Sequence, residues 1–138
     1  MRLVVDTNVV ASALLWGGTP RVLLDAAREK RVGLYTSLPL LAELTDILLR
    51  QKFEKKIAAS TFSIDQLVDR YAELATLVRA EAVPRVAPDP DDDVVIGTAL
   101  AARADFVVTG DLPLRKVNEY MGVRIVRVYE AIGLIPVK

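Results

Sequence analysis

The stretch Arg2-Leu3-Val4-Val5-Asp6-Thr7-Asn8 decides the fold, because a short apolar run ends there in polar residues. The apolar part does not alternate with polar residues, which is typical of a strand in a parallel sheet covered on both faces. A similar run, Phe106-Val107-Val108, is followed by Thr109-Gly110-Asp111. In open α/β sheets, ligands bind beyond the carboxyl ends of the strands. Asp6 and Asp111 are therefore predicted to share one site.

Composition favours a single α/β domain over residues 1–138. The chain has 138 residues, of which 52% are hydrophobic and only 6% aromatic. That length is enough for one domain with a sizeable core built from aliphatic side chains. No apolar run approaches the roughly 20 residues of a membrane-spanning helix, and Met1-Arg2 leads directly into a strand. We therefore expect a cytoplasmic protein without a membrane partner.

The missing residue types narrow the chemistry. The chain contains no cysteine and no histidine. This excludes a Ser-His-Asp triad, a Cys-His pair and zinc–sulfur sites made by the chain itself. Carboxylates remain, either for acid–base catalysis or for binding hard cations such as Mg²⁺ and Mn²⁺. With 18 acidic and 18 basic residues the net charge is zero, which is not the strongly basic balance of a dedicated nucleic-acid binder but leaves room for a local basic patch.

Predicted strands and helices alternate along the chain, which indicates a central, mainly parallel sheet flanked by helices on both faces. The predicted strands are 2–5, 34–36, a weak one near 83–86, 106–108 and 123–128. The predicted helices are 9–15, 19–30, one after Ser37, one from the capping-box sequence Ser63-Ile64-Asp65-Gln66 to about Val78, and 91–104.

Two further acids belong to helices. Glu43 lies at the rim of the apolar stripe of the helix after the second strand, where it is either a boundary residue or a group leaning toward Asp6. In the run Asp89-Pro90-Asp91-Asp92-Asp93, part of the charge complements the helix dipole. Asp93 shares a helix face with Gly97 and Leu100 and is predicted to point to the packed side. The small Gly97 is expected to leave space there for a substrate.

Bringing these acids together has a cost that a cation would offset. Two carboxylates about 4 Å apart repel by roughly 4 kcal/mol at an effective dielectric constant near 20. Oxygen ligands in an open crevice suit Mg²⁺ or Mn²⁺, which keep water ligands and bind phosphate oxygens. The alternative interpretation is that these acids have separate structural roles, with Asp6 or Asn8 capping a helix and Asp111 in a turn.

The ordered set of motifs resembles the PIN-domain family, the metal-dependent nucleases that include the toxins of VapBC-type toxin–antitoxin pairs. The resemblance covers the whole chain and rests on three quoted stretches together with Glu43: Val4-Val5-Asp6-Thr7-Asn8, Asp93-Val94-Val95-Ile96-Gly97-Thr98-Ala99 and Val107-Val108-Thr109-Gly110-Asp111. It implies a flavodoxin-like sheet of strand order 3-2-1-4-5. It also implies that Asp6, Glu43, Asp93 and Asp111 are the catalytic, metal-binding acids, supported by Asn8 and Thr109. Asp91 and Asp92 leave the register of the third acid open.

The resemblance further implies an Mg²⁺- or Mn²⁺-dependent ribonuclease that hydrolyses RNA and acts as the toxin of a toxin–antitoxin pair. Its expected partners are a second copy of the chain, in a homodimer, and an antitoxin protein. An RNA-processing nuclease or a non-catalytic nucleic-acid-binding module are the alternatives. A phosphatase that attacks through Asp6 fits less well, because it requires a second acid two residues later, where this chain has Asn8. A phospho-receiver domain also fits less well, because it requires an acidic pair after the first strand and a lysine after a late strand, and Thr109-Gly110-Asp111 contains no lysine. The candidate cations for the RNA backbone are Arg50, Lys52, Lys55, Lys56, Arg115 and Lys116.

Overall fold

The computed structural model describes residues 1–137 as a six-stranded sheet with helices on both faces. The strands are β1 (Arg2–Val5), β2 (Gly33–Thr36), β3 (Thr76–Leu77), β4 (Phe106–Val108), β5 (Glu119–Tyr120) and β6 (Val123–Val126). The helices are α1 (Thr7–Leu15), α2 (Thr19–Arg28), α3 (Leu38–Leu48), α4 (Glu54–Ala59), α5 (Ile64–Leu74), α6 (Pro90–Ala102), α7 (Leu112–Val117) and α8 (Val128–Leu134). A single 3-10 turn, Gln51–Phe53, precedes α4.

The sheet has the order β3-β2-β1-β4-β6-β5, and only β5 runs antiparallel to its neighbour. The predicted α/β fold with a mainly parallel sheet is confirmed, and the five parallel strands follow the order 3-2-1-4-5. From β1, the chain adds β2 and then β3 on one side of the sheet. It then crosses back and adds β4 on the other side of β1. Ligand sites of open α/β sheets lie where the strand order reverses in this way. Here that point is the carboxyl end of β1 and β4, where Val5 lies opposite Val108.

Each face of the sheet has its own core, because the central strands present apolar side chains on both sides. One core contains Leu3, Val5 and residues of α1, α2, α3 and α5. The other contains Val4, Val107 and residues of α6 and α7. The unbroken apolar run of β1 is explained by this double coverage. Within the described chain, no helix is long and apolar enough to cross a membrane.

The region between α5 and α6 differs from the prediction. Helix α5 ends at Leu74 instead of continuing to about Val78, and β3 then pairs with β2. The weak strand predicted near 83–86 is not formed; that segment has no regular secondary structure. Pro84 cannot donate a ladder hydrogen bond, and the chain here bonds to a helix instead, since the Glu81 N–H donates to the Gly97 carbonyl at 3.0 Å.

Other boundaries agree closely with the sequence. The capping box before α5 is confirmed: the Ser63 hydroxyl accepts from the Gln66 N–H and the Gln66 side chain accepts from the Ser63 N–H. The last strand ends at Val126 instead of 128, because Arg127 already caps α8. Helices α4 and α8 and strand β5 were not predicted. All three are short, and short elements carry little periodic signal.

Gly97 does not leave space for a substrate. A Cβ at this position would lie 2.1 Å from the Glu81 carbonyl oxygen. The segment around Glu81 therefore covers the face of α6 on which Gly97 lies, and the close approach requires glycine. The expected open space is corrected to a backbone packing contact.

Replacing Gly97 by Ala is expected to destabilise the protein. The new methyl group would push the segment around Glu81 away from α6, and overpacking of this kind costs roughly 1–3 kcal/mol. We expect Tm to fall by roughly 5–10 °C in a thermal melt. Gly133 is the control, because a methyl group added there would have no neighbour within 4 Å. Gly133→Ala should stabilise by about 0.4–1 kcal/mol, and an equal loss in both variants would contradict the packing account.

Candidate active site

Asp6 and Asp111 meet at the carboxyl edge through a shared partner, Thr109. The fully buried Thr109 hydroxyl donates to Asp6 Oδ2 at 2.6 Å and accepts from the Asp111 N–H at 3.0 Å. Burial raises the pKa of Asp6 above its ordinary value; the Thr109 bond partly offsets this, and the Asp111 charge adds to it. Asp6 occupies the N-cap position of α1 without capping it, whereas Asp111 does cap α7 by accepting from the Leu114 N–H at 3.0 Å.

Glu43 reaches the same edge from α3. Its Oε1 accepts a hydrogen bond from the Thr7 hydroxyl, directly after Asp6 in the chain. Partial burial raises the pKa of Glu43; the Thr7 bond opposes this, and the charges of Asp6 and Asp91 add to it. The sequence left two alternatives for Glu43, a boundary residue or a group leaning toward Asp6. The structure has the second arrangement. This position makes Glu43 a group of the site instead of a simple boundary residue.

Asp92, at the start of α6, completes the cluster. Burial raises the pKa of Asp92 to about 7, with further contributions from the charges of Asp111 and Asp6 and from a hydrogen bond with Asp111. A buried carboxyl group that faces other carboxylates and holds a proton near neutral pH is typical of a functional site. The cluster therefore consists of Asp6, Glu43, Asp92 and Asp111, and we call it the acidic cluster.

The placement of Asp93 differs from the expectation. Its Oδ1 accepts from the N–H groups of Val86 and Ala87 at 3.1 and 2.8 Å, and its Oδ2 lies 4.0 Å from Arg85 Nε. The side chain is 12% exposed. Asp93 thus points to the packed side of α6, as predicted, but that side is covered by the 81–87 segment and does not face the crevice. Asp92 takes the place in the cluster that was predicted for Asp93.

A signal for Asp92 exists in the sequence. Ile96 and Ala99 follow it at i+4 and i+7, and both are buried at 1% and 0% exposure. This stripe packs α6 on the sheet, and its extension by one turn toward the carboxyl edge falls on Asp92. The sequence analysis gave Thr7 no role in the site. It named Lys52 only as one of several surface cations.

A cleft opens in front of the cluster. Its volume is about 390 Å³, and it is lined by Asp6, Asn8, Ser12, Lys52 and Asp111, among others. Asn8 is exposed in this cleft, in keeping with its predicted supporting position. Lys52 brings a positive charge to the wall, and Arg50 lies near enough to lower the pKa of Glu43. Lys56 and Lys116 line other depressions and Lys55 is exposed elsewhere on the surface.

The donor set suits a hard divalent cation, although it does not form a closed cage. Among residues 1–137, no three acidic side chains are arranged so that they could hold a metal ion as they stand. Burial and the neighbouring charges of Asp111 and Asp6 nevertheless together raise the pKa of Asp92 to about 7. A proton on that group relieves the repulsion, as a bound cation would. Mg²⁺ commonly takes only one or two protein carboxylates and keeps several waters, so the residues present fit such an ion.

The raised pKa of Asp92 predicts how stability without metal depends on pH. The folded pKa of about 7 exceeds the value near 4 expected in the unfolded chain. The folded state therefore binds more protons between these pH values, and the stabilisation is lost as the pH rises through 7. In EDTA, we expect Tm to fall between pH 5 and pH 8, and to fall less in Asp92→Asn.

Divalent cations should reverse this trend. Because a cation binds the ionised carboxylates in competition with protons, the rise in Tm on adding Mn²⁺ should be larger at pH 8 than at pH 6. Melting curves at four pH values, with EDTA or Mn²⁺, measure both effects. An Asp92→Asn variant that loses as much Tm as the unmodified protein between pH 5 and 8 would contradict the assigned proton site.

Comparison with known proteins agrees with this fold. Residues 2–113 match the family model described as "PIN domain". A chain in the crystal structure of VapBC2 from Rickettsia felis bound to a DNA fragment from their promoter has the same fold, with a TM-score of 0.62. The match covers 92% of this chain and 98% of that one at 15% sequence identity, and so concerns the fold alone. A comparison with curated protein sequences gave no match.

Proposed function

Since the chain belongs to the PIN-domain family, whose members are generally nucleases, we propose that it is an Mg²⁺- or Mn²⁺-dependent ribonuclease. The observation that carries the proposal is the acidic cluster, in which acids from four separate elements interact at the switch point of the sheet. Two of them, Asp6 and Asp111, line the cleft. Without histidine or cysteine in the chain, carboxylates are the groups that remain for activating water.

In this proposal Asp6, Asp92 and Asp111 hold the cation. A bound divalent cation would lower the pKa of water and offset the charge of the scissile phosphate. The chain's own contribution is orientation: the Thr109 hydroxyl fixes Asp6 Oδ2, and the Leu114 N–H fixes Asp111 Oδ2. These bonds hold the carboxylates against their mutual repulsion.

Glu43 is suited to move the proton. Its Oε1 is engaged by the Thr7 hydroxyl, which leaves Oε2 to accept the proton of the attacking water. The raised pKa of Glu43 brings it closer to the working pH, which favours general-base catalysis. Lys52, on the cleft wall, provides a positive charge for the phosphate backbone.

Incubation of the purified protein with labelled single-stranded RNA tests the proposal. We expect cleavage with Mg²⁺ or Mn²⁺ and none with EDTA. Absence of cleavage of RNA pools with either metal would instead favour a non-catalytic nucleic-acid-binding module.

We further propose that the nuclease is the toxin of a toxin–antitoxin pair. The fold match to a chain of the VapBC2 complex supports this role and, with it, an antitoxin partner. A homodimer is part of the same proposal. A small DNA-binding protein encoded next to this chain, and growth arrest on expression that Asp6→Asn relieves, are the expected results. Growth unaffected by the active protein would favour an RNA-processing nuclease, and the mass in solution tests the dimer.

A further inference from the structure

A second concave surface lies beside the cleft, between α1, α2 and the segment from α4 to α5. We call it the basic groove. Four cationic side chains and no acidic one line it, and its floor is apolar, with Leu24, Phe62 and Leu67. The cations are Arg21, Arg28, Lys56 and Arg70. In a chain of zero net charge, this is a local concentration of positive charge.

The charges of the basic groove are largely unneutralised. Arg28 pairs with the exposed Asp25 at 3.0 Å. Within residues 1–137, none of the other three cations forms an ion pair. Lys56 Nζ instead lies 5.2 Å from the Trp16 ring centre, and the Arg70 guanidinium lies 4.4 Å from that of Phe62. A ring holds a cation in position without cancelling its charge, so the groove remains attractive to an anion.

Several residues that line the basic groove are neighbours in sequence of residues that line the active-site cleft. Along α1, Ser12 lines the cleft and Ala13 lines the groove. Along α2, Pro20 lines the cleft and Arg21 the groove. Lys52 and Lys56 repeat the pattern one helical turn apart on the 3-10 turn and α4. An extended polyanion leaving the cleft therefore meets the groove next.

We infer that the basic groove binds the single-stranded RNA that flanks the scissile phosphate. The inference rests on the proposed ribonuclease function and adds a second binding region to it. Cations along a groove with aromatic rings among them are the combination that binds single strands without strong sequence preference. An acidic protein segment would satisfy the charges, but the adjacency to the cleft favours the substrate itself.

The test measures RNA binding separately from cleavage. Asp6→Asn, which prevents cleavage, is combined with Arg21→Gln and Arg70→Gln, and binding of a fluorescent 12-nucleotide RNA is followed by anisotropy in Mg²⁺. Loss of two phosphate contacts should weaken binding roughly tenfold at low salt and reduce the slope of log K against log salt by about 1.4. A 4-nucleotide RNA, which is confined to the cleft, should lose little affinity.

The matched control removes two cations from elsewhere. Arg103 and Arg124 are exposed and lie at the other end of the sheet strands, beside α6 and β6. Arg103→Gln with Arg124→Gln should leave binding of the 12-nucleotide RNA unchanged. Circular dichroism confirms that each variant is folded.

Equal weakening by both pairs of substitutions, or none by the groove pair, would overturn the inference. If RNA binding did not depend on the groove residues but binding of a poly-glutamate peptide did, the groove would be assigned to a protein partner instead. The proposed function fails separately: RNA bound through the groove but uncut by the unmodified protein would refute the ribonuclease and leave the groove assignment standing.

Discussion

Asp6→Asn is expected to lower the rate of RNA cleavage by roughly 10²–10³-fold, because a cation ligand contributes several kcal/mol of charge stabilisation in the transition state. The substitution keeps the size of the side chain, and the Asn oxygen can still accept from Thr109. The fold should therefore be retained. Cleavage of labelled RNA in Mn²⁺ by equal amounts of both proteins measures the effect.

Asp46 offers the matched control. It is an exposed aspartate on α3, the helix that carries Glu43, but it does not belong to the acidic cluster. Asp46→Asn should change the rate little. If Asp6→Asn cleaved at the rate of the unmodified protein, the activity would have to be assigned to another site or to a contaminant.

The second large effect is that substitutions of the neighbouring residues Asp92 and Asp93 should change the response to metal differently. A cation that binds only the folded state stabilises by about 2.7 kcal/mol at 100 times its Kd, which raises Tm by several degrees in a domain of this size. Asp92→Asn should remove most of this rise and most of the cleavage. Without metal it should melt at the same temperature as the unmodified protein or higher, because one repelling charge is gone.

Asp93 should behave in the opposite way. Asp93→Asn can still accept from Val86 and Ala87, so the response to metal should persist. Asp93→Ala leaves two N–H groups without their partner, and each unpaired group costs roughly 1–3 kcal/mol when buried. Its Tm should fall in EDTA and in Mn²⁺ alike. A lost metal response in Asp93→Asn, with an intact one in Asp92→Asn, would reverse the assignment.

The sequence was sufficient where a signal was local or periodic. The apolar runs of β1 and β4 predicted parallel central strands, and the acids that follow them were predicted to share an edge; the fold part of this is confirmed. The capping box at Ser63 predicted the start of α5. These features depend on a few neighbouring residues, so a single chain contains enough information to predict them.

The third acid was predicted incorrectly, although the stripe of Ile96 and Ala99 points to Asp92, because the environment of Asp93 depends on a distant segment. Three consecutive aspartates point in directions about 100° apart on a helix. Which one faces the site depends on what covers the packed face of α6. That cover is the irregular 81–87 segment, which bonds to Gly97 and Asp93. An irregular segment has no periodic pattern, so neither its path nor its cover over Asp93 was predictable.

The most direct test of the account is a titration with Mn²⁺ in which the free ion is followed by electron paramagnetic resonance. The central claim is that Asp6, Asp92 and Asp111 hold one cation. We predict that the unmodified protein and Asp93→Asn bind Mn²⁺ with similar affinity, and that Asp6→Asn and Asp92→Asn each bind at least about tenfold more weakly, as expected for loss of a charged ligand. Unchanged binding in both Asp6→Asn and Asp92→Asn, or no binding by the unmodified protein, would contradict the claim.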